Sequence, residues 1–315
     1  MQATRKTPQT ADVAIVGGSF AGLAAGLQLA RASRKVLVFD TGLPRNRFAA
    51  GAHGVLGHEG KPPEDLRAQG RAELLAYPTV SWLDKAVSSV SRDEDGFQIT
   101  TKGQSEFRAA RVILSYGVRD QLPAIEGAQE AWGTGVLSCP YCHGYEVRGR
   151  RLGILFTGEG SLHQAKLLPD WSDDLVFFSN GNDLSGEVRE SLQSRGIKIE
   201  PRPVTRLHLR NGHLQAVELE HRDSVLRDAL FMISTVSPTT NLAETLGCAM
   251  VEGPFGRHIE VDNLQETTVP GVYAAGDIAR PMHNLTWAMA DGVTAGIFAH
   301  QSLLADFNPY QRPRG

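Results

Sequence analysis

Two cysteines sit three residues apart, with a proline after the first and a histidine after the second: Cys139-Pro140-Tyr141-Cys142-His143. Thiols at this spacing can close a small ring, open it again, and so carry two electrons. Other chemistries use the same residues. Cys-x-x-Cys-His is also the attachment signature of c-type haem, structural zinc takes four ligands, and two small thiols can simply be core. Haem attachment needs export, and the first ten residues are polar with no apolar leader segment. The third cysteine, Cys248, lies in an apolar stretch and reads as core, so no metal site is expected. Redox work is the favoured reading. His143 is the candidate to take and return protons near neutral pH. A cap on the helix carrying the cysteines is the alternative role for it. Pro140 should stiffen the ring, and Tyr141 should be exposed if the pair faces a partner.

Such a pair needs a positioned electron partner, and the sequence before it supplies a dinucleotide signature. Residues 12–16 (D-V-A-I-V) read as a buried strand. Gly17-Gly18-Ser19-Phe20-Ala21-Gly22 follows, then a helical pattern over 23–30, then a strand over 35–39 that ends in Asp40. Strand, Gly-rich turn, helix, strand and an acid about 20 residues on make a mononucleotide-binding unit. Gly17 permits the tight turn, and backbone at Ser19, Phe20 and Ala21 would hold a pyrophosphate at the helix start. Gly22 lets helix and strand approach, and Asp40 would accept from a ribose. Ser19 stands where the middle glycine is expected. Near the other end, a Pro-Gly turn leads through an apolar run to Gly276-Asp277, where Asp277 can bond a polyol hydroxyl. Residues 284–300 form a helical pattern rich in small residues, among them Gly292 and Gly296, which would let it approach a cofactor. Arg45 and Asn46 in the loop after Asp40, and Gly117, complete the cofactor-binding candidates. His53 and His58 read as surface residues.

At 315 residues the chain can bury two cores. A net charge of -3 gives no reason to expect nucleic acid, and no apolar run approaches the length of a membrane span. Three cysteines suit a reducing cytoplasm. The tail over 307–315 should be extended or loose.

In order and spacing, the 17–22 turn, Cys139 with Cys142, and the segment 270–277 together resemble the low-molecular-weight thioredoxin reductase family, over roughly residues 11–304. The resemblance implies a homodimeric flavoprotein in which an FAD domain is interrupted by a pyridine-nucleotide domain carrying the Cys-x-x-Cys pair. It further implies that Cys142 faces the flavin and Cys139 exchanges with a thiol substrate. His143 falls where that family commonly has an acid–base aspartate. His283 and Asn284 fall where it commonly has an Arg-Gln pair near the flavin. These departures suggest a divergent branch.

A second unit for NADPH is expected from a strand over 152–156, followed by Thr157-Gly158-Glu159-Gly160-Ser161-Leu162-His163. Neither register of this loop gives G-x-G-x-x-G. Glu159 would repel a pyrophosphate, and His163 is bulky for close helix packing. Pro169 cuts the crossover helix short. The next strand, over 175–178, ends in Ser179-Asn180-Gly181-Asn182. It carries no basic residue for a 2′-phosphate and no acid for a ribose. NADPH use is therefore not expected, and a second FAD could occupy the vacant position.

The expected architecture is α/β, with two Rossmann-like dinucleotide-binding domains, the second inserted into the first. The FAD-binding domain spans 1–117 and 244–315, and the inserted domain spans 118–243. The expected activity is oxidation of dithiols through a Cys139–Cys142 disulfide and FAD, with oxygen or an electron-transfer partner as acceptor. The alternatives are a disulfide reductase fed by NADPH, ferredoxin or a second flavin, and a non-enzymatic flavin- or redox-sensing protein.

Overall fold

A computed structural model describes residues 8–304. The chain opens with β1 (Gln9–Val16), α1 (Phe20–Arg31) and β2 (Val36–Phe39), then α2 (Pro63–Leu75) and β3 (Val80–Leu83). It continues through β4 (Val87–Asp93), β5 (Gly96–Thr101), β6 (Glu106–Leu114) and β7 (Val118–Gln121). Next come α3 (Ala128–Ala131), β8 (Val136–Leu137), α4 (Pro140–His143), β9 (Leu152–Leu155), α5 (Glu159–Leu167), β10 (Leu175–Phe178), α6 (Gly186–Gln193) and β11 (Lys198–Glu200). The hairpin strands β12 (Val204–Arg210), β13 (His213–Leu219) and β14 (Ser224–Leu226) precede β15 (Ala229–Phe231) and β16 (Thr235–Pro238). The chain closes with α7 (Leu242–Thr245), β17 (Met250–Gly253), β18 (Gly256–Ile259), β19 (Val272–Ala274) and α8 (Leu285–Gln301).

The first unit is built on a sheet ordered β3-β2-β1-β6-β5-β4, with β19 also paired to β6. Strands β3, β2, β1, β6 and β19 run parallel, and β6, β5 and β4 are joined as an antiparallel meander. The central strands are apolar throughout because both faces are covered. Val13, Ile15, Val36, Val38 and Ile113 pack with α1 and α8 residues such as Ala25 and Ala295. Their neighbours Ala14, Val16, Leu37, Phe39 and Leu114 pack on the other side with Val236, Leu242 and Ile259. That alternation is the period of two of a strand. The second unit repeats the plan with a parallel sheet ordered β11-β10-β9-β15-β8. Leu155, Val176, Phe178 and Leu230 face one core, and Leu152, Ile154, Leu175 and Phe177 face the other. Two Rossmann-like units, the second inserted into the first, are thus present.

Their limits differ from those read in the sequence. The first unit comprises the chain up to Arg45, Glu64–Arg119, and Val236 onward, while the second comprises Asn46–Pro63 and Asp120–Thr235. Residues 46–63, expected in the first domain, pack with the second. There Phe48 lies against Gly133, and His53 lies near Glu146. Residues 236–243, expected in the second, contribute Val236, Leu242 and Ala243 to a core of the first. The tail expected over 307–315 lies outside the described residues, as do the first seven.

Candidate active site

The redox pair occupies the exit of β8. Cys139 is extended (φ -116, ψ 116) and serves as N-cap of α4, with Pro140 at the first helical position, where its missing N–H costs nothing. The Cys142 N–H donates to Cys139 Sγ at 3.2 Å, and the His143 N–H donates to the Cys139 carbonyl at 3.2 Å. The two Cα atoms are 5.2 Å apart, and the sulfurs are joined. That separation lies inside the range a disulfide requires. Both cysteines are half-buried, while Tyr141 between them is 72% exposed, its ring edge-on to Trp171 at 5.7 Å.

His143 closes α4. Both its ring nitrogens are buried and make no hydrogen bond of good geometry among the described residues, although the Cys139 carbonyl is close enough to favour the protonated ring slightly. Burial and the charge of His53 hold its pKa below the ordinary histidine value, while Glu146 pulls weakly the other way. A buried imidazole whose pKa lies below the ordinary value, one residue after Cys142, is suited to accept a proton. His53, which looked like a surface residue in the sequence, bonds Glu59 at 2.8 Å through Nδ1 and lies 3.6 Å from Glu146.

In the first unit, the turn after β1 is as tight as the motif requires. Gly17 has φ +113, in the region that side chains disfavour. A Cβ at Gly22 would overlap the Gly17 carbonyl oxygen, so only glycine lets α1 start this close to β1. Ser19 is the N-cap, but its side chain makes no cap bond and the first turn of α1 holds no acid. The amides of Phe20, Ala21 and Gly22 point out of the helix start, as a phosphate needs. Asp40 closes β2, its Oδ1 accepting from the Gly18 N–H at 3.2 Å and its Oδ2 from Arg67 at 3.2 Å. Gly276 (φ +80) brings the loop after β19 against Ala21. Next to it, the Asp277 carboxylate pairs with Arg45 at 2.9 Å, and the same guanidinium donates to His283 Nδ1 at 2.7 Å. Open helix amides, a strand-end carboxylate and a close-packed glycine loop in one unit fit a dinucleotide of the FAD type.

Some candidates have other work. Asn284 is the N-cap of α8, its Oδ1 accepting from the Thr286 N–H at 2.8 Å. Gly292 and Gly296, expected to admit a cofactor, instead admit α1: a Cβ at Gly292 would overlap the Ala21 carbonyl, and one at Gly296 would crowd the Ala25 carbonyl. Gly117 (φ +69) follows β6, and its carbonyl accepts from the Thr239 N–H. Asn46 begins the second unit and stays a candidate on sequence alone. Cys248 is buried, its thiol pushed up by burial, consistent with core.

The loop after β9, where a second nucleotide is expected, bonds to its own helix and to the residue stretch after β15. The Thr157 N–H donates to the buried Ser161 hydroxyl at 2.9 Å, and the Thr157 hydroxyl donates to the Ile233 carbonyl at 2.7 Å. Glu159 stands exposed in the first turn of α5. His163, expected to obstruct packing, is on the exposed face, and the close approach is made by Gly160 against Ile233. Past β10, Ser179 and Asn182 bond each other's backbone carbonyls. An arginine does lie in the loop after the neighbouring strand. It is Arg202, but its guanidinium is engaged by Glu200 at 2.8 Å and Asp223 at 2.6 Å.

Sequence reasoning missed Arg67, which braces Asp40 across 27 residues with no local signal. It also missed Asp291, a buried acid in apolar α8 that lies 3.3 Å from Arg280 and whose pKa burial raises. An acid inside so apolar a helical run was the available signal for Asp291.

A family model described as pyridine nucleotide-disulphide oxidoreductase matches residues 11–161 and 172–292. The chain is 31% identical over 313 residues to thioredoxin reductase tcpT of Claviceps purpurea, covering 96% of this chain and 97% of that one. Among solved structures, an oxidoreductase from Agrobacterium tumefaciens superposes with a TM-score of 0.90 at 38% identity, covering 95% of this chain and 100% of that one. A putative thioredoxin reductase TrxB from Bacillus anthracis superposes with a TM-score of 0.88 at 31% identity, covering 93% and 98%. Matched in this way along most of its length, the chain belongs to the pyridine nucleotide-disulphide oxidoreductase family, as a flavin-dependent disulfide oxidoreductase of thioredoxin-reductase-like kind.

Proposed function

We propose that this enzyme oxidises dithiols through a redox-active Cys139–Cys142 disulfide and FAD, without NADPH. The observation that carries the direction is the self-closed loop at the second nucleotide position. There Ser161 occupies the Thr157 amide and Glu159 heads the helix where phosphates would arrive.

In the first half-reaction, a substrate thiolate attacks Cys139 Sγ and displaces the Cys142 thiolate, giving a mixed disulfide. The second substrate thiol, its proton taken by neutral His143, attacks its own mixed-disulfide sulfur and displaces Cys139. The substrate leaves as a disulfide, and the enzyme holds a dithiol with the two electrons. The Cys142 N–H, already aimed at Cys139 Sγ, stabilises the thiolate that leaves there. The chemistry FAD supplies when bound is acceptance of two electrons from that dithiol, with Cys142 the sulfur assigned to the transfer. Its pyrophosphate would rest on the amides of Ser19, Phe20, Ala21 and Gly22 behind Gly17. Its ribose would rest on Asp40, and its ribityl chain on Gly276 and Asp277 beside Arg45 and His283. Asn46, Gly117 and Asn284 complete the assignment. Oxygen or an electron-transfer protein takes the electrons onward. The enzyme is assigned as a cytoplasmic homodimer acting on a small dithiol or a protein thiol pair. Among the described residues, no helix is long and apolar enough to cross a membrane.

The second reading is a disulfide reductase fed by NADPH, ferredoxin or a second flavin in the second unit. Its intact parallel sheet, with α5 following β9, favours that reading. Cysteine variants test the shared chemistry. Excess dithiothreitol under argon should bleach the flavin absorbance in the wild type and leave it in Cys142→Ser. Equal bleaching in wild type, Cys139→Ser and Cys142→Ser would remove the pair from the electron path.

A further inference from the structure

The redox turn is tied to the helix at the second nucleotide position by one buried side chain. Gln164, on α5, is 2% exposed, and its Nε2 donates to the Ser138 carbonyl at 2.5 Å. Its own Oε1 is buried and has no partner among the described residues. An amide buried with half its hydrogen-bonding capacity unmet is poor core material, and an apolar side chain of the same length would fill the space without that cost. The bond from Nε2 ends on the residue immediately before Cys139. The Ser138 carbonyl and the Cys139 N–H belong to the same planar peptide, so fixing one fixes the plane from which Cys139 departs. Cys139 in turn must stay extended for its sulfur to meet the Cys142 N–H and for the Cα atoms to keep their 5.2 Å spacing.

We propose that Gln164 is a positioning residue for the redox pair, holding the Ser138 carbonyl so that the two sulfurs are preorganised to close. This rests on the proposed redox role of Cys139 and Cys142. Preorganised thiols favour the ring over the open dithiol, because less chain entropy is lost on closure. Without the tether, the disulfide is easier to reduce.

The test uses the holoenzyme, equilibrated under argon in glutathione buffers of graded ratio, with free thiols trapped by alkylation and counted by intact mass. Gln164→Met keeps the length and removes the donor, while Gln164→Asn keeps the amide one methylene short of the carbonyl. Lys166→Gln, exposed on the same helix, is the control. Either Gln164 variant should move the exchange equilibrium toward dithiol by about tenfold, which is about 30 mV for this two-electron couple. The control should match the wild type. A change under threefold in a folded variant, or one toward a harder-to-reduce disulfide, overturns the proposal. So would a variant that melts earlier while its equilibrium stays put, since that describes packing alone. If the wild-type pair fails to titrate in any buffer, the redox reading itself falls, and the proposal with it. If wild type and variants titrate together, only the proposal falls.

Discussion

Replacing His143 with leucine separates a proton-transfer role from a structural one, because the two predict opposite changes in stability. Neither buried ring nitrogen makes a hydrogen bond of good geometry among the described residues, and an unmet buried polar group costs about 1–3 kcal/mol. His143→Leu removes that cost at similar volume, so at pH 7 the variant should be about 1 kcal/mol more stable, or at least no less. Its chemistry should suffer. Loss of a positioned base slows proton transfer by ~10²–10⁴-fold, so dithiol-driven flavin reduction should slow by at least about a hundredfold at unchanged FAD content. The pH dependence follows from the depressed pKa of the folded state. Between that value and the unfolded value of about 6.5, the unfolded chain binds more protons, so this residue's effect on stability becomes less favourable as pH falls through that window. The leucine variant should therefore show a flatter profile of melting temperature against pH on the acid side of about 6.5. The wild-type rate should keep its base-dependent limb below the ordinary histidine range, and the variant should lose that limb. Stopped-flow absorbance under argon and thermal melts across pH 5–8 supply both readouts. A variant that reduces within threefold of wild type and melts earlier would refute the reasoning and restore a structural role for His143.

The cradle in the first unit makes two further predictions. Gly22→Ala drives a Cβ into the Gly17 carbonyl, which is backbone and cannot swing away, so FAD content after purification should fall sharply, with a loss of ~2 kcal/mol or more in stability. A fully flavinated variant with wild-type melting would contradict the tight-turn reading. Arg67→Met removes the brace on Asp40 and should weaken FAD retention by about tenfold on dialysis, the effect of losing one charge-assisted bond of ~1.5 kcal/mol. Unchanged retention would show that Asp40 needs no support.

What the sequence revealed was whatever depends on local spacing. The first mononucleotide unit was legible because each step leaves a periodic or steric mark: the apolar strand, Gly17 and Gly22 at a turn that admits no side chain, and the acid at the end of β2. The disulfide turn was legible for the same reason, since three-residue spacing places both sulfurs within one turn of helix. Where the outcome hung on partners far along the chain, the sequence was silent. Glycines in α8 looked like cofactor contacts, yet Gly292 serves the Ala21 backbone of α1. A fingerprint whose third position faces the strand would make His163 an obstruction, but Gly160 makes the close approach and His163 faces out. The segment over 46–63 follows the first strands in sequence but packs with the second unit, through contacts such as Phe48 with Gly133 that span some 85 residues. Nothing local marks the partners of Ser161 or Gln164, although one takes the Thr157 amide within the loop and the other reaches the redox turn.

An anaerobic titration of the purified holoenzyme distinguishes the routes by which electrons can enter the flavin. One sample receives a dithiol, a second NADPH, and a third NADH, each followed by flavin absorbance. Bleaching by the dithiol within the first equivalents is expected, with an oxidised spectrum that persists in both nicotinamide samples. Rapid bleaching by micromolar NADPH, with slow or absent reduction by dithiols, would contradict the dithiol route. The self-closed loop around Ser161 would then be a nucleotide site that opens, and the enzyme a reductase.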